Sequence, residues 1–469
     1  MRRPRYLPLC ALALFLACGL VFAPHLLGAP GGQFLCVSDI HFDPLVGLSA
    51  SVGKQIVNSG YKSWHGIYAK HPQPASGYGS ETNFTLLDSA LQEMRSACPH
   101  PDFIVFSGDL LAHAIHKMYA YVGNDRHKLI RQTLSFISYQ FDHYFPGVPI
   151  FFTLGNNDHY HDYGFAPNDP FFRETGADFF RFYLKGDGVS RASFDKSFFA
   201  AGNYSARPAA SPKNKIIALN NNFFSISSQN QHKEESLKQL DRLESELASA
   251  RAKRERVWIV MHIPPGVDVQ GALKKKQALS FWARLENSEH LSLLDKFIRL
   301  LVEYSPETAA IFSGHTHMDY FRLILNRGVA STLVHGAPAV TPQFGNNPGF
   351  QVFRYDKESF DLIDYDTYRY GYIHGWAKEY NLKQAYGTSL YDPAGMDTVW
   401  DRIQSDKAVR KHYTDFYTVG STKVSIAEVW KAYWCGIANL GGDGFNTCYA
   451  AQTIFQENAG TDWDRAANF

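Results

Sequence analysis

The chain has 469 residues, of which 45% are hydrophobic and 19% charged. These are globular proportions, which exclude a disordered chain, and the length suits one large α/β domain with an accessory piece. Its 46 basic and 45 acidic side chains nearly cancel, so no global field favours nucleic acid or an anionic membrane, and no nucleic-acid-binding surface is evident. The short basic clusters Arg251 to Arg256 and Lys274-Lys275-Lys276 lack interleaved aromatics and read as solvated surface.

At the start of the chain, Arg2, Arg3 and Arg5 precede the apolar run "LPLCALALFLACGLVFA". This is signal-peptide grammar over residues 1–29. Cleavage after Ala23 or Ala29 would leave a proline first, so a retained N-terminal anchor stays open beside a cleaved signal, as does lipidation at Cys18. On any of these readings the rest of the chain is secreted or held in the cell envelope, with membrane contact possible through the N-terminal segment. Cys10 and Cys18 belong to this leader. Cys36 lies in an apolar run and reads as a buried free thiol, whereas Cys435 and Cys448 flank the glycine-rich "GIANLGGDGFNT" and read as a bridge suited to an oxidising compartment. Two sequons, at Asn83 and Asn203, matter only in a host that glycosylates.

Residues 31–370 alternate helix and strand. "TLLDSALQEMRSAC" carries Leu87, Leu91 and Met94 near helical spacing and leads to "DFIVF" and Ser107-Gly108-Asp109. "LSFISYQFDHYF" leads to "VPIFFTL" and Gly155-Asn156-Asn157-Asp158. A helix with Leu237, Leu240, Leu243 and Leu247 feeds "VWIVMH" and His262; another with Leu293, Phe297 and Leu301 feeds "AAIF" and Gly314-His315-Thr316-His317. Such alternation predicts an α/β fold with polar groups at the carboxyl ends of buried strands, where open α/β sheets place their sites. The stretch "FQVFRYDKESFDLIDYDTYRY" predicts a closing hairpin turning at Asp356-Lys357. Residues 371–469 are rich in Tyr and Trp, lack strand runs, and read as a helical C-terminal subdomain with helices in "AGMDTVWDRIQSDKAVRKHY" and "VSIAEVWKAYW".

Five of the predicted strands end in a potential metal ligand. Asp39 and His41 follow "FLCV", with Asp43 beyond, and Asp109, Asn156, His262, His315 and His317 follow the other four. Carboxylate, amide and imidazole donors from separate elements suit two borderline divalent metals, since one carboxylate can bridge while nitrogen ligands favour zinc, manganese or iron over calcium.

The order Asp-x-His, Gly-Asp, Gly-Asn-x-Asp, His, Gly-His-x-His resembles the calcineurin-like metallophosphoesterase superfamily, from Val37 to about Phe350. Within it "SGDLLAH", "IALNNNFF", "HIPPG", "GHTHMDYF" and "APAVTPQFGNNPGF" resemble the acid sphingomyelinase-like phosphodiesterases. The resemblance implies a β-sandwich flanked by helices, four layers αββα, with two metal ions, zinc first and manganese or iron as alternatives. It implies that Asp39, His41, Asp109 and His317 hold one metal and that Asp109, Asn156, His262 and His315 hold the other. A metal-bridging hydroxide would then attack the phosphorus in line, and His113 would protonate the leaving oxygen.

A second family histidine is replaced here by Asn157, which can donate a hydrogen bond but cannot act as a general acid. His159 or His161 would have to reach that space from a shifted loop, or His113 would act alone on acidic leaving groups. The expected substrate is a soluble phosphodiester or nucleotide, for whose base Tyr160, Tyr163, Phe281 and Trp282 are stacking candidates against a commoner packing role. Alternatives are an endopolyphosphatase-like phosphoanhydride hydrolase, which the Gly-Asn-Asn-Asp variant resembles, and a sphingomyelin or lipid phosphodiesterase, set back because only the leader precedes Asp39. Outside enzymes the alternative is a metal-retaining binding protein, which Asn157 alone favours. The sequence carries no signal for an oligomeric state.

Overall fold

The computed structural model describes residues 31–118, 126–228, 232–283 and 292–453; the leader lies outside them. Among the described residues no helix is long and apolar enough to cross a membrane.

Twelve strands are described: β1 (Gly31–Val37), β2 (Phe103–Phe106), β3 (Ile150–Phe152), β4 (Tyr204–Ala206), β5 (Lys215–Ala218), β6 (Val257–Val260), β7 (Thr308–Ser313), β8 (Tyr320–Asn326), β9 (Val329–Gly336), β10 (Gly349–Asp356), β11 (Leu362–Gly371) and β12 (Gly375–Asn381). They form two six-stranded sheets, ordered β12-β11-β10-β1-β2-β3 and β4-β5-β6-β7-β9-β8. β1, β2 and β3 run parallel, as do β5, β6, β7 and β9, while the outer strands pair antiparallel. Both sheets are therefore mixed. Their central strands are buried on both faces, which is why "FIVF" and "VWIV" are continuous apolar runs rather than alternating ones.

An aromatic layer joins the sheets. Phe34 of β1 lies 4.9 Å from Trp258 of β6 and 5.7 Å from Phe312 of β7, ring centre to ring centre, and Phe353 of β10 stacks on Phe34 at 4.9 Å. Emptying the Trp258 site by substitution with Ala would cost about 3–5 kcal/mol. Helices flank the pair of sheets, among them Phe84–Ala97, Arg126–Tyr144, Lys233–Lys253 and Leu293–Glu303, each matching a predicted one. The last has a capping box: the Ser292 hydroxyl accepts from Asp295 N, and the Asp295 carboxylate accepts from Ser292 N.

The region after Gly371 differs from the sequence reading. Gly375–Asn381 is a strand that pairs with β11 and extends the first sheet. It is an edge strand, half exposed and carrying Lys378, so it has no apolar run to announce it. Helices take over at Leu382. The helical stretch "AGMDTVWDRIQSDKAVRKHY" is divided at Asp406, whose carboxylate accepts from Ala408 N and starts the helix Lys407–Tyr417 after Pro393–Ser405. In "VSIAEVWKAYW" only Trp430–Ala438 is regular helix. Cys435 and Cys448 are bridged, and Cys36 is a buried free thiol. Both sequon asparagines are buried. Asn83 caps its helix by accepting from Leu86 N, and Asn203 accepts from Arg242.

Candidate metal centre

In register, Val37 of β1 lies beside Phe106 of β2, and Phe106 beside Phe152 of β3; Val260 of β6 lies beside Phe312 of β7. The parallel strands of each sheet thus stop together, and the five polar turns that follow meet at one end of the sandwich. His262 links the sheets there, its Nδ1–H donating to Ser107 O at 2.8 Å. The turns are sharp. Asp39, His41, Asp109, His315 and His317 all have φ between +45° and +69°, a region that side-chain-bearing residues rarely occupy and that costs about 1–3 kcal/mol each. Strain of this kind collects where surrounding structure holds a functional geometry.

Two glycines make the crowding feasible. A Cβ on Gly155 would lie 2.0 Å from Asp109 Oδ1, and one on Gly314 would lie 2.1 Å from Ser38 Oγ. Asp158 fastens the turns after β2 and β3 together. Its buried carboxylate accepts from Asp109 N, Leu110 N, Leu111 N and Gly155 N at 2.6–3.1 Å.

The predicted ligand atoms fall into two groups that share Asp109. In one, His41 Nε2 lies 3.3 Å from Asp109 Oδ2, 3.7 Å from Asp39 Oδ1 and 3.1 Å from His317 Nε2. In the other, His262 Nε2 lies 3.2 Å from Asp109 Oδ2, and Asn156 Oδ1 lies 3.0 Å from His262 Nε2 and 2.9 Å from His315 Nδ1. All seven residues are brought together. Asp43, the further acid of the first motif, instead accepts from Leu45 N.

The donor set fits divalent cations on the chemistry of the ring nitrogens. His41 Nδ1 faces Leu111 O at 2.9 Å and His262 Nδ1 faces Ser107 O. A carbonyl only accepts, so both Nδ1 atoms carry hydrogen and both Nε2 atoms, which point inward at Asp109, are the positions left to take a proton or a metal ion. Beside the Asp109 carboxylate these atoms call for positive charge, either a proton or a cation. Burial disfavours the imidazolium, yet Asp109 and Asp39 outweigh it and lift both His41 and His262 to about 9. Burial and the neighbouring rings push His315 down to about 3, and burial with His41 beside it pushes His317 well down. Burial alone would raise Asp109; His262 and His41 hold it well below the carboxylate range. The site thus draws cationic charge onto itself while keeping two of its imidazoles neutral, the state in which imidazole binds metal. Among the described residues, His317 Nδ1 is buried without a hydrogen-bond partner.

A cavity of about 380 Å³ opens over these groups, lined by Asp109, His113, Asn156, Asn157, His315 and His317 among others. His113 stacks on His41 with ring centres 3.8 Å apart, and Glu81 Oε1 accepts from its Nδ1 at 2.9 Å and its backbone N at 3.2 Å. Asn157 is turned towards Asp109: its N and Nδ2 donate to the two carboxylate oxygens, each at 2.8 Å. His159 does not line the cavity. Its ring is buried against Phe165 and Phe171 with Nε2 3.3 Å from Asp169 Oδ2, because the turn from Asn156 to Tyr163 closes on itself through Tyr163 N and Asn156 O. His161 is exposed near His116. Of the four aromatic candidates, Tyr163 and Phe281 line the cavity, whereas Tyr160 bonds to Glu174 and Trp282 is 1% exposed.

Sequence reading missed Glu81, the positioning part played by Asp158, and Phe344. The Phe344 ring is 46% exposed at the cavity and lies 4.5 Å from His317 and 5.4 Å from His113. Glu81 and Phe344 stand far in sequence from the motifs they serve. Asp158 had a motif position as its only signal.

Comparison with known proteins identifies the family. Residues 32–319, more than half the chain, match the family model of the calcineurin-like phosphoesterases. The chain is 26% identical over 449 residues to a cyclic GMP-AMP phosphodiesterase of Bos taurus, with 92% of this chain and 93% of that protein covered. It is 26% identical to the acid sphingomyelinase-like phosphodiesterase 3b of Mus musculus, covering 90% of each, and 27% identical to the sphingomyelinase phosphodiesterase C of Dictyostelium discoideum, covering 89% and 92%. The strand-end ligands, the shared aspartate and the extent of the match lead to one conclusion: this chain belongs to the calcineurin-like phosphoesterase family, whose members are metal-dependent hydrolases of phosphate esters.

Proposed function

We propose that the protein is a secreted or envelope-located phosphodiesterase with two metal ions, acting on soluble phosphodiesters or nucleotides. The observation that carries this reading is the pair of ligand groups sharing Asp109 beneath an open cavity. Asp39, His41, Asp109 and His317 would hold one ion and Asp109, Asn156, His262 and His315 the other, with zinc favoured by the nitrogen-rich set and manganese or iron as alternatives. Two such ions supply Lewis acidity towards a phosphoryl oxygen and an acidified water as nucleophile.

The chain's own residues do the rest. Glu81 fixes the His113 ring through Nδ1, which leaves Nε2 to protonate the leaving oxygen. Asn157 spends its amide on Asp109, so it orients that carboxylate and takes no part in proton transfer. His159, buried in packing, does not replace the missing histidine. A single general acid suits a diester with an acidic leaving group, and likeness to a cyclic GMP-AMP phosphodiesterase supports a nucleotide-type substrate. The Cys435–Cys448 bridge supports an oxidising compartment.

The test is turnover of bis-p-nitrophenyl phosphate, ATP, polyphosphate and a sphingomyelin analogue by metal-replete protein, with Asp109→Asn as control and metal content measured on both. Expected are two ions per chain, turnover of the diester or ATP, and loss of turnover in the variant together with weakened binding of both ions. Four intact substrates with two bound ions would replace the enzyme by a metal-retaining binding protein. Near-normal turnover by the variant would overturn the shared role of Asp109.

A further inference from the structure

The cavity does not end at the ligand groups. It runs on past Phe281 to a wall supplied by the C-terminal subdomain: Tyr413 and Tyr417 from the helix Lys407–Tyr417, and Tyr433 from Trp430–Ala438. Phe281 marks the junction, its ring 5.3 Å from that of His315. This wall is tied to the ligand loop, since Asp319 N, two residues past His317, donates to Tyr417 O at 3.0 Å. The three phenols are neighbours. The Tyr417 ring lies 4.8 Å from that of Tyr433 and 6.1 Å from that of Tyr413.

Tyrosines set into a fold ordinarily bond their hydroxyls to protein. Tyr320 does so with Ser313 Oγ, Tyr68 with Pro44 O and Tyr380 with Asp319. The hydroxyls of Tyr413, Tyr417 and Tyr433 have no protein partner among the described residues, and none of the three oxygens is sealed from the cavity. All three stay protonated, raised first by burial and then by neighbouring phenols or, for Tyr433, by Asp268.

Resting on the phosphodiesterase reading above, we propose that these three tyrosines form a specificity subsite for a nucleobase attached to the scissile phosphate. The chemistry of the arm selects among the substrates that the reading leaves open. A polyphosphate chain needs cations. Among the described residues, the guanidinium that reaches this arm, that of Arg322, already donates to Pro265 O at 2.7 Å and Val267 O at 2.9 Å. An acyl chain needs a dry apolar wall, and three unpaired hydroxyls are costly to desolvate against one. A heterocycle presents a flat face and several neutral donors and acceptors at its edge. Phenol rings and hydroxyls, with the Gln270 amide on the same lining, match both features.

The test uses three diesters with the same p-nitrophenolate leaving group and different retained groups: thymidine 5′-(p-nitrophenyl phosphate), methyl p-nitrophenyl phosphate and p-nitrophenyl phosphorylcholine. The full-length protein and its Tyr417→Phe/Tyr433→Phe variant, which keeps both rings, are compared on all three. Two hydrogen bonds lost to a neutral base correspond to roughly tenfold. The thymidine ester is therefore expected to lose about tenfold more kcat/KM than the methyl ester, through KM. Equal losses on the thymidine and methyl esters, or none, would overturn the subsite, and a loss greatest on the choline ester would replace the base by a quaternary ammonium. Equilibrium binding of AMP against inorganic phosphate is measured in parallel. A protein that turns over nothing yet loses AMP and keeps phosphate in the variant would refute the phosphodiesterase reading while upholding the subsite; unchanged AMP binding would refute the subsite by itself.

Discussion

Asp158→Asn tests how the centre is held together. Each Asp158 oxygen accepts two backbone N–H groups, Oδ1 from Leu110 and Leu111 and Oδ2 from Asp109 and Gly155, and the donors lie in a buried turn. An asparagine in the same place has one accepting oxygen. Whichever way the amide turns, two buried N–H groups lose their acceptor and face an NH2 instead. Each such loss costs about 1–3 kcal/mol. Burial and the adjacent Asp109 push the Asp158 carboxyl up to about 7 against the pull of the Gly155 and Leu111 N–H groups. Relief of that like-charge contact offsets part of the loss, leaving about 3 kcal/mol, on the order of a hundredfold in the folding equilibrium. The assay is urea unfolding of metal-stripped wild type and variant, followed by circular dichroism, with metal affinity measured on the folded proteins. Affinity is expected to fall as well, because the released pair is either Asp109 N with Gly155 N or Leu110 N with Leu111 N, and each pair includes a donor from the turn that carries Asp109. A variant within about 0.5 kcal/mol of wild type, with unchanged metal affinity, would show that the two turns are held by their strands alone and refute the reasoning.

Three other outcomes are expected. His113→Ala should lose about 10²–10⁴ in kcat on alkyl leaving groups and much less on p-nitrophenyl esters; equal losses on both would make His113 a binding group. Replacing Cys435 and Cys448 together by Ser should cost about 3 kcal/mol in urea unfolding, given the separation of 13 residues, and no change on substitution would mean that packing alone holds the final helices. For Glu246, burial acts to raise the carboxyl, but the Lys215 ammonium at 2.8 Å, with Ser205 and Arg242, holds it below its usual value. A carboxylate lowered on folding contributes stability above its unfolded pKa of about 4.3 and loses it as pH falls. Glu246→Gln should therefore destabilise the protein at pH 7, with the gap to wild type closing below about pH 4; a gap constant from pH 7 to 3 would remove ionisation as its cause.

The seven candidate ligands stood out because each sits directly behind a buried strand, and a run of four to six apolar residues is a signal that a single chain carries within itself. The same local logic found the helices before β2, β3, β6 and β7, the hairpin of β10 and β11 and the Cys435–Cys448 bridge. β12 was not legible, since an edge strand takes its hydrogen bonds from a neighbour and needs no apolar run. His159 shows the limit of spacing as a guide. Two residues beyond Asn157 it was a candidate acid, yet the turn returns through Tyr163 N to Asn156 O and carries the ring into the packing around Phe171.

The sequence alone determined the α/β class, the residue types at the strand ends and their order, because these follow from local periodicity and from ligand chemistry. Only the tertiary structure decided that Asp158 clamps together two turns, accepting from Asp109 N 49 residues away, that Glu81 holds His113, and that three tyrosines from the last helices line the far end of the cavity. Each of these is a contact between segments distant in the chain. Such contacts are set by how the sheets and helices pack, and no local pattern encodes them.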